Sequence, residues 1–213
     1  MKLLILSLLI TITSLTAQFK YSAGLGLGAT FNVDVDSFNT SISDSGLKKI
    51  KDNWLPLEYD FSIQVYPSLR LGYFKLSNAL IPNKSSEKFF LVIIMRGVSV
   101  QTFFTFLRRF EANFGLVPLL AKAEFVQEFT SKTSQFQFST STQAGTKNSA
   151  VGLYSWIGLR FYLASFIALE GNIGYLRVKF KGGNWKSEGE GNGVSGKIDL
   201  TKPFFRFGIV LGW

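Results

Sequence analysis

Six charged residues carry most of the chemistry this chain can offer: Arg70, Arg96, Glu111, Arg160, Glu170 and Arg206. Each stands in a stretch of alternating apolar residues, as in Phe110-Glu111-Ala112-Asn113-Phe114 and Leu159-Arg160-Phe161. A strand sends successive side chains to opposite faces, so these charges are expected on the face opposite the apolar one. A charge held away from water is costly unless paired and hydrogen-bonded. The six are therefore expected to form an internal charge network. Glu111, Arg160, Glu170 and Arg206 fall on four successive strands and make its centre.

These residues are poorly suited to catalysis. The chain has no histidine and no cysteine, so serine–histidine and aspartate–histidine hydrolysis are closed to it. A metal site would need oxygen ligands alone, and Asp34, Asp36 and Asp44 form no recognisable calcium loop. No enzyme activity, cofactor or metal is expected. Gly24, Gly26 and Gly28 lack the spacing of a dinucleotide loop and no helix is expected after them. They read as inward positions that leave room for larger side chains opposite.

The elements that place these residues are strands. Period-two alternation recurs at about Phe19–Val33, Leu57–Tyr66, from Leu69, about Phe89–Phe104, from Phe110, Val151–Leu163, Ile167–Tyr175 and Pro203–Trp213. The register of the fourth is ambiguous, and a β-bulge at Arg96-Gly97 is the expected cause. Short connections, Tyr66–Ser68, Thr105–Arg109 and Ala164–Ser165, alternate with long polar ones at about 34–53, 78–83, 127–149 and 181–196. Even strand number with short turns at one end and long loops at the other is the pattern of a transmembrane barrel. The fold class predicted is all-β, an eight-stranded antiparallel up-and-down transmembrane β-barrel. Phe19, Tyr66, Phe104, Phe106, Phe110, Phe161, Tyr162, Phe166 and Trp213 gather at the short-turn end, where an interfacial girdle belongs.

The ends of the chain agree with this. Lys2, the apolar run Leu3–Leu15 and the small-residue boundary at Ala17 read as a secretory signal peptide, residues 1–17, with the barrel domain at 18–213. No later apolar run is long enough for a membrane helix. The aromatic fraction of 15%, with 22 Phe, favours a barrel over a soluble exported domain. A formal charge of +9 suggests anionic partners, but the basic residues are scattered and export removes nucleic acid as a target.

The closing run Arg206-Phe-Gly208-Ile-Val-Leu211-Gly-Trp213 resembles the C-terminal assembly signal of bacterial outer-membrane barrels: a polar residue, glycine, a hydrophobic residue and a terminal aromatic. With the signal peptide and the strand pattern, the mature chain resembles the small OmpA/OmpX-like outer-membrane barrels. The resemblance implies the outer membrane of a Gram-negative bacterium and contact with outer-membrane lipid and lipopolysaccharide. It also implies the barrel-assembly machinery as a partner during insertion, with no peptidoglycan-binding domain after Trp213. A polar, plugged lumen and long extracellular loops with a surface-structural or interaction role are expected; the extracellular partner is not named by the sequence. The alternative is an OmpW-like passive channel for small hydrophobic or ionic solutes, with Leu200 and Phe204 at a hydrophobic mouth. A soluble exported β-sandwich or lipocalin-type barrel is a third reading.

Overall fold

The structure is a computed structural model that describes residues 20–44, 49–80, 88–131, 140–188 and 195–213. The expected signal peptide and Phe19 lie outside the described residues. Alternating sequence yields alternating burial, most plainly in the last strand, where Phe204, Arg206 and Val210 point inward and Phe205, Phe207, Ile209 and Leu211 outward.

Seven long strands come first: β1 (Tyr21–Ala29), β2 (Leu57–Tyr66), β3 (Leu69–Leu80), β4 (Lys88–Phe106), β5 (Phe110–Ser131), β6 (Thr140–Ala164) and β7 (Ile167–Phe180). Two short ones, β8 (Lys186–Glu188) and β9 (Ile198–Asp199), precede the closing strand β10 (Lys202–Gly212). Neighbours pair antiparallel from β1 to β7, β7 pairs with β10, and β10 pairs with β1, closing a ring of eight strands. The closing ladder runs from Ser22↔Gly212 to Ala29↔Phe205, as the alternation of both segments requires.

The outer wall is apolar. Leu27, Val98, Leu120, Ile157, Ile173 and Phe207 are all exposed, a surface that water would drive into aggregation and lipid satisfies. From the short-turn end up to Lys75, Arg96, Lys122 and Arg177, the outward positions of β3, β4, β5 and β7 carry no charge. Tyr66, Phe104, Phe166 and Trp213 stand exposed at the short-turn end. Tyr162, counted among those aromatics, faces inward, as its shared parity with Arg160 requires.

Several boundaries differ from the sequence reading. β1 ends at Ala29, and Val33, expected on the outward face, turns with Val35 into the barrel mouth, where both are buried. The expected loop at 34–53 contains a helix, α1 (Asp36–Asp44), whose Phe38 and Ile42 lie four residues apart on one buried face. The expected loop at 127–149 is largely strand: β5 and β6 form a hairpin paired to Ser131↔Thr140, with residues 132–139 outside the described ones. Strand ladders satisfy backbone groups whatever the side chains, so this polar stretch extends the sheet without an apolar signal.

No bulge interrupts β4 at Arg96-Gly97. Its pairing with β3 runs in unbroken register from Leu69↔Thr102 to Leu80↔Leu91. Beyond Arg96 the strand is apolar on both faces, with Ile94 and Val92 outward and Met95, Ile93 and Leu91 in a dry core inside. Gly97 faces inward where a side chain would collide with the Pro118 carbonyl.

Candidate functional site

The interior has two layers. The lower one, toward the short turns, is built of charges supplied by six strands. Arg70 of β3 forms a two-pronged pair with Glu111 of β5, at 2.5 Å from Nη1 to Oε1 and 2.7 Å from Nη2 to Oε2. Tyr162 of β6 donates its hydroxyl to the same carboxylate at 2.6 Å, and Arg160 Nη1 stands 3.7 Å from it. Arg160 also reaches Glu170 of β7, with Nε and Nη2 at 2.6 and 2.5 Å from Oε2. The other oxygen of Glu170 accepts from Asn172 at 2.9 Å and from Arg206 of β10. Arg206 then extends its second prong to Glu58 of β2 at 2.5 Å.

The result is an alternating chain, Arg70–Glu111–Arg160–Glu170–Arg206–Glu58, that runs through the barrel interior, and all six residues are buried. Each guanidinium offers a rigid fork that matches a carboxylate. Flat aromatic faces complete the packing: the Arg70 guanidinium lies 3.7 Å from the Phe103 ring centroid, and that of Arg206 5.4 Å from Trp156. Trp156 donates to Asn113 at 3.1 Å.

Arg96 departs from the sequence reading. It is exposed on the outer wall, across from Lys75, because unbroken alternation along β4 gives Met95 and Gly97 the inward places. Two interior carboxyls were missing from the sequence-derived set, Glu58 and Asp60. The signal was present, since the alternation of β2 already puts both inward. Gly24 and Gly28 make room as expected: a Cβ at Gly24 would collide with the Asp60 carboxylate, and one at Gly28 with the Phe204 ring.

The upper layer is apolar. Trp54, Phe74, Leu76, Leu91, Ile93, Tyr154, Phe180 and Phe204 are fully buried there. Phe74 stacks on Tyr154 at 5.5 Å, and Phe204 meets Tyr154 edge-on at 5.3 Å. Leu200 and Phe204 thus occupy inward positions, within a packed core.

Helix α1 covers this layer. Phe38 packs on Phe125 and Trp185, at 5.8 and 5.2 Å between centroids. Asn39 fixes the returning chain by donating to the Ile50 carbonyl at 3.1 Å and accepting from its N–H at 2.8 Å. The segment before β9 crosses the helix closely. Gly196 has a φ of 129°, and any Cβ there would strike the Phe38 backbone. Lys197 bridges Asp34 at 2.7 Å and Asp199 at 3.5 Å, and Lys179 meets Asp199 at 3.2 Å. Burial pushes the Asp199 carboxyl upward, but the hydrogen bonds from Thr201 and Lys179 win and hold it at about 2. Asp34 is lowered by its hydrogen bond from Lys197.

The four assembly-signal positions divide between the walls of β10. Arg206 is in the charge chain, and Gly208 lies against the Leu25 carbonyl and Gly26. Leu211 is exposed to the outside, and Trp213 stacks on Tyr21 at 6.2 Å.

No protein-family model matches the chain, and neither does any curated protein. Among solved structures it is similar to the outer membrane protein OprG from Pseudomonas aeruginosa, at 12% identity and a TM-score of 0.54, over 93% of this chain and 99% of that one. It is also similar to Neisserial surface protein A, at 12% identity and a TM-score of 0.49, over 91% and 96% of the two chains. Ail, the attachment invasion locus protein of Yersinia pestis, is matched at 12% identity and a TM-score of 0.49, over 92% and 99%. At such identities the likeness bears on the fold alone, and OprG is the neighbour that carries it. Eight antiparallel strands closed into a ring, an apolar outer wall and this likeness give the chain the fold of the small outer-membrane β-barrel proteins.

Proposed function

We propose that the protein is a non-enzymatic barrel of the Gram-negative outer membrane, exported by a cleaved signal peptide, with a closed lumen and a surface-structural or interaction role. The observation that supports it best is the six-residue charge chain through the lower interior. Three arginines and three glutamates neutralise one another there, where an eight-stranded barrel is just wide enough for side chains to fill it. Above that layer, the aromatic core and α1 occupy the space a solute would need. The passive-channel reading would require both to move.

Recognition of a partner then falls to the loop end, around residues 34–56, 127–149 and 181–196, since loops on a rigid scaffold carry binding. Insertion would use the barrel-assembly machinery, with Arg206, Gly208, Leu211 and Trp213 as the signal it reads. Planar-bilayer recording tests the closed lumen: the purified barrel should give no steady conductance, and open channels of constant size would overturn the reading. The barrel itself is tested separately by gel mobility. Unheated and heated samples should migrate differently, and identical mobility in both states counts against it.

A further inference from the structure

Strands β6 and β7 part company on the loop side of the membrane wall. They pair from Ala164↔Ile167 up to Gly152↔Val178 and no further. Above that point β6 follows β5 and takes β8 as its other neighbour, while β7 takes β9. The Asn148 side chain bridges the two ends by donating to the Lys181 carbonyl at 2.8 Å. Between them, on the outer wall, opens a cleft of about 1280 Å³.

The cleft has an apolar floor and cationic walls. Leu120, Val151 and Leu153 line it, with Arg96 and Lys122 toward β4 and β5, and Arg177, Lys179 and Lys181 on the other side. Its two carboxylates, Glu124 and Asp199, are already held by Lys122 at 2.6 Å and Lys179 at 3.2 Å. Arg96, Arg177 and Lys181 have no acidic partner among the described residues. Arg96 also lies directly across the ladder from Lys75, with both on the outer wall. Like charges in facing positions destabilise a sheet unless an anion lies between them.

Height decides what that anion is. Arg96, Arg177 and Lys75 are the first charges above the charge-free belt on their strands, so they stand at the level of the outer-leaflet headgroups. Arg96 shares a row with Leu120 and Val151, and Arg177 pairs with Leu153. The two arginines are three strands apart, roughly 14 Å at the usual strand spacing. One phosphate cannot span that distance.

We propose that this cleft binds the headgroup of a phosphorylated outer-leaflet glycolipid, with Arg96 and Arg177 each holding one of two phosphates over the floor of Leu120, Val151 and Leu153. The proposal rests on the barrel being an outer-membrane protein. Guanidinium groups suit phosphate because their paired donors match its oxygens. Apolar residues beneath suit the sugar faces and the upper ends of the acyl chains.

The test is a titration of purified barrel in neutral detergent, followed by native mass spectrometry. The probes are a bisphosphorylated glucosamine lipid (lipid A), the same lipid stripped of phosphate, phosphatidylglycerol and inorganic phosphate. The bisphosphorylated lipid should bind, and the R96Q/R177Q variant should weaken it by about tenfold or more, since each arginine supplies a charge-assisted pair. R96K/R177K should recover part of the loss. R108Q/R109Q, which removes the same charge from a short turn at the other end, should bind as wild type. Equal affinity for the dephosphorylated lipid, or unchanged binding by R96Q/R177Q, overturns the proposal. So does equal binding of phosphatidylglycerol, which would mean surface charge alone, or of inorganic phosphate, which would mean a free-anion site. Heat-shifted gel mobility of each variant reports the barrel independently, so failure of the fold reading is distinguishable from failure of the site.

Discussion

Glu170 accepts from Arg160, Arg206 and Asn172 at once, and no other residue of the charge chain joins two arginines so closely. Removing its charge leaves two buried guanidiniums facing each other. Breaking a buried pair from one side costs about 3–5 kcal/mol, far more than an exposed pair is worth. Glu170→Ala should therefore lower unfolding stability in urea by that amount in lipid vesicles, and a loss under about 1 kcal/mol would argue that the network is not structural. Tyr162→Phe removes the hydroxyl bond to the Glu111 carboxylate. It should cost about 1.5–3 kcal/mol, the range for hydrogen bonds to charged groups. A change within error in the same assay would count against that bond.

Helix α1 is held by two kinds of contact, and each has its own test. The apolar contact is Phe38, fully buried against Phe125 and Trp185. Phe38→Ala should cost about 3–5 kcal/mol locally, seen as faster amide exchange across residues 36–44 while the barrel strands stay protected. Besides the Asn39–Ile50 hydrogen bonds, the polar contacts include the Asp34–Lys197–Asp199 latch. The Asp199 carboxyl is held at about 2, below its ordinary 3.8, so its contribution is complete above about pH 4 and is lost as pH falls toward 2. Lys197 is raised, so its share persists below its ordinary value and fails only in strong alkali. Exchange of α1 amides, corrected for the intrinsic rate, should rise between pH 4 and 2, and Asp199→Asn should already show the rise at pH 5. A flat profile in wild type would show that the latch adds nothing to the hold on the helix.

Closure of the whole barrel ends at one residue pair. Trp213 and Tyr21 exchange backbone hydrogen bonds at 3.0 and 3.1 Å while their rings stack. This last rung joins the first strand to the last, the two segments furthest apart in sequence. Deleting Trp213 should impair insertion into the outer membrane while leaving export intact, read by fractionation and gel mobility. Normal amounts of heat-shifted protein in the membrane fraction would remove the assembly role from Trp213.

Alternation by itself determined eight strands, their inward and outward faces, the pairing of the last strand with the first and the inward placement of Arg70, Glu111, Arg160, Glu170 and Arg206. Period two is a property of the extended backbone, so it is written in the sequence wherever one face meets lipid. It failed at Arg96, where both faces are apolar and parity has no contrast to show. Glu58 and Asp60 were placed inward by the same rule, but the pairing of Glu58 with Arg206 over the glycines of β1 was not, because it depends on ring closure and stagger. The tertiary structure alone decided that polar residues 36–44 form a helix over the mouth, since two apolar side chains suffice when a ready-made core receives them. It also decided that β6 and β7 separate above Gly152. Both follow from where the chain is led by distant contacts, and a local pattern carries no record of those.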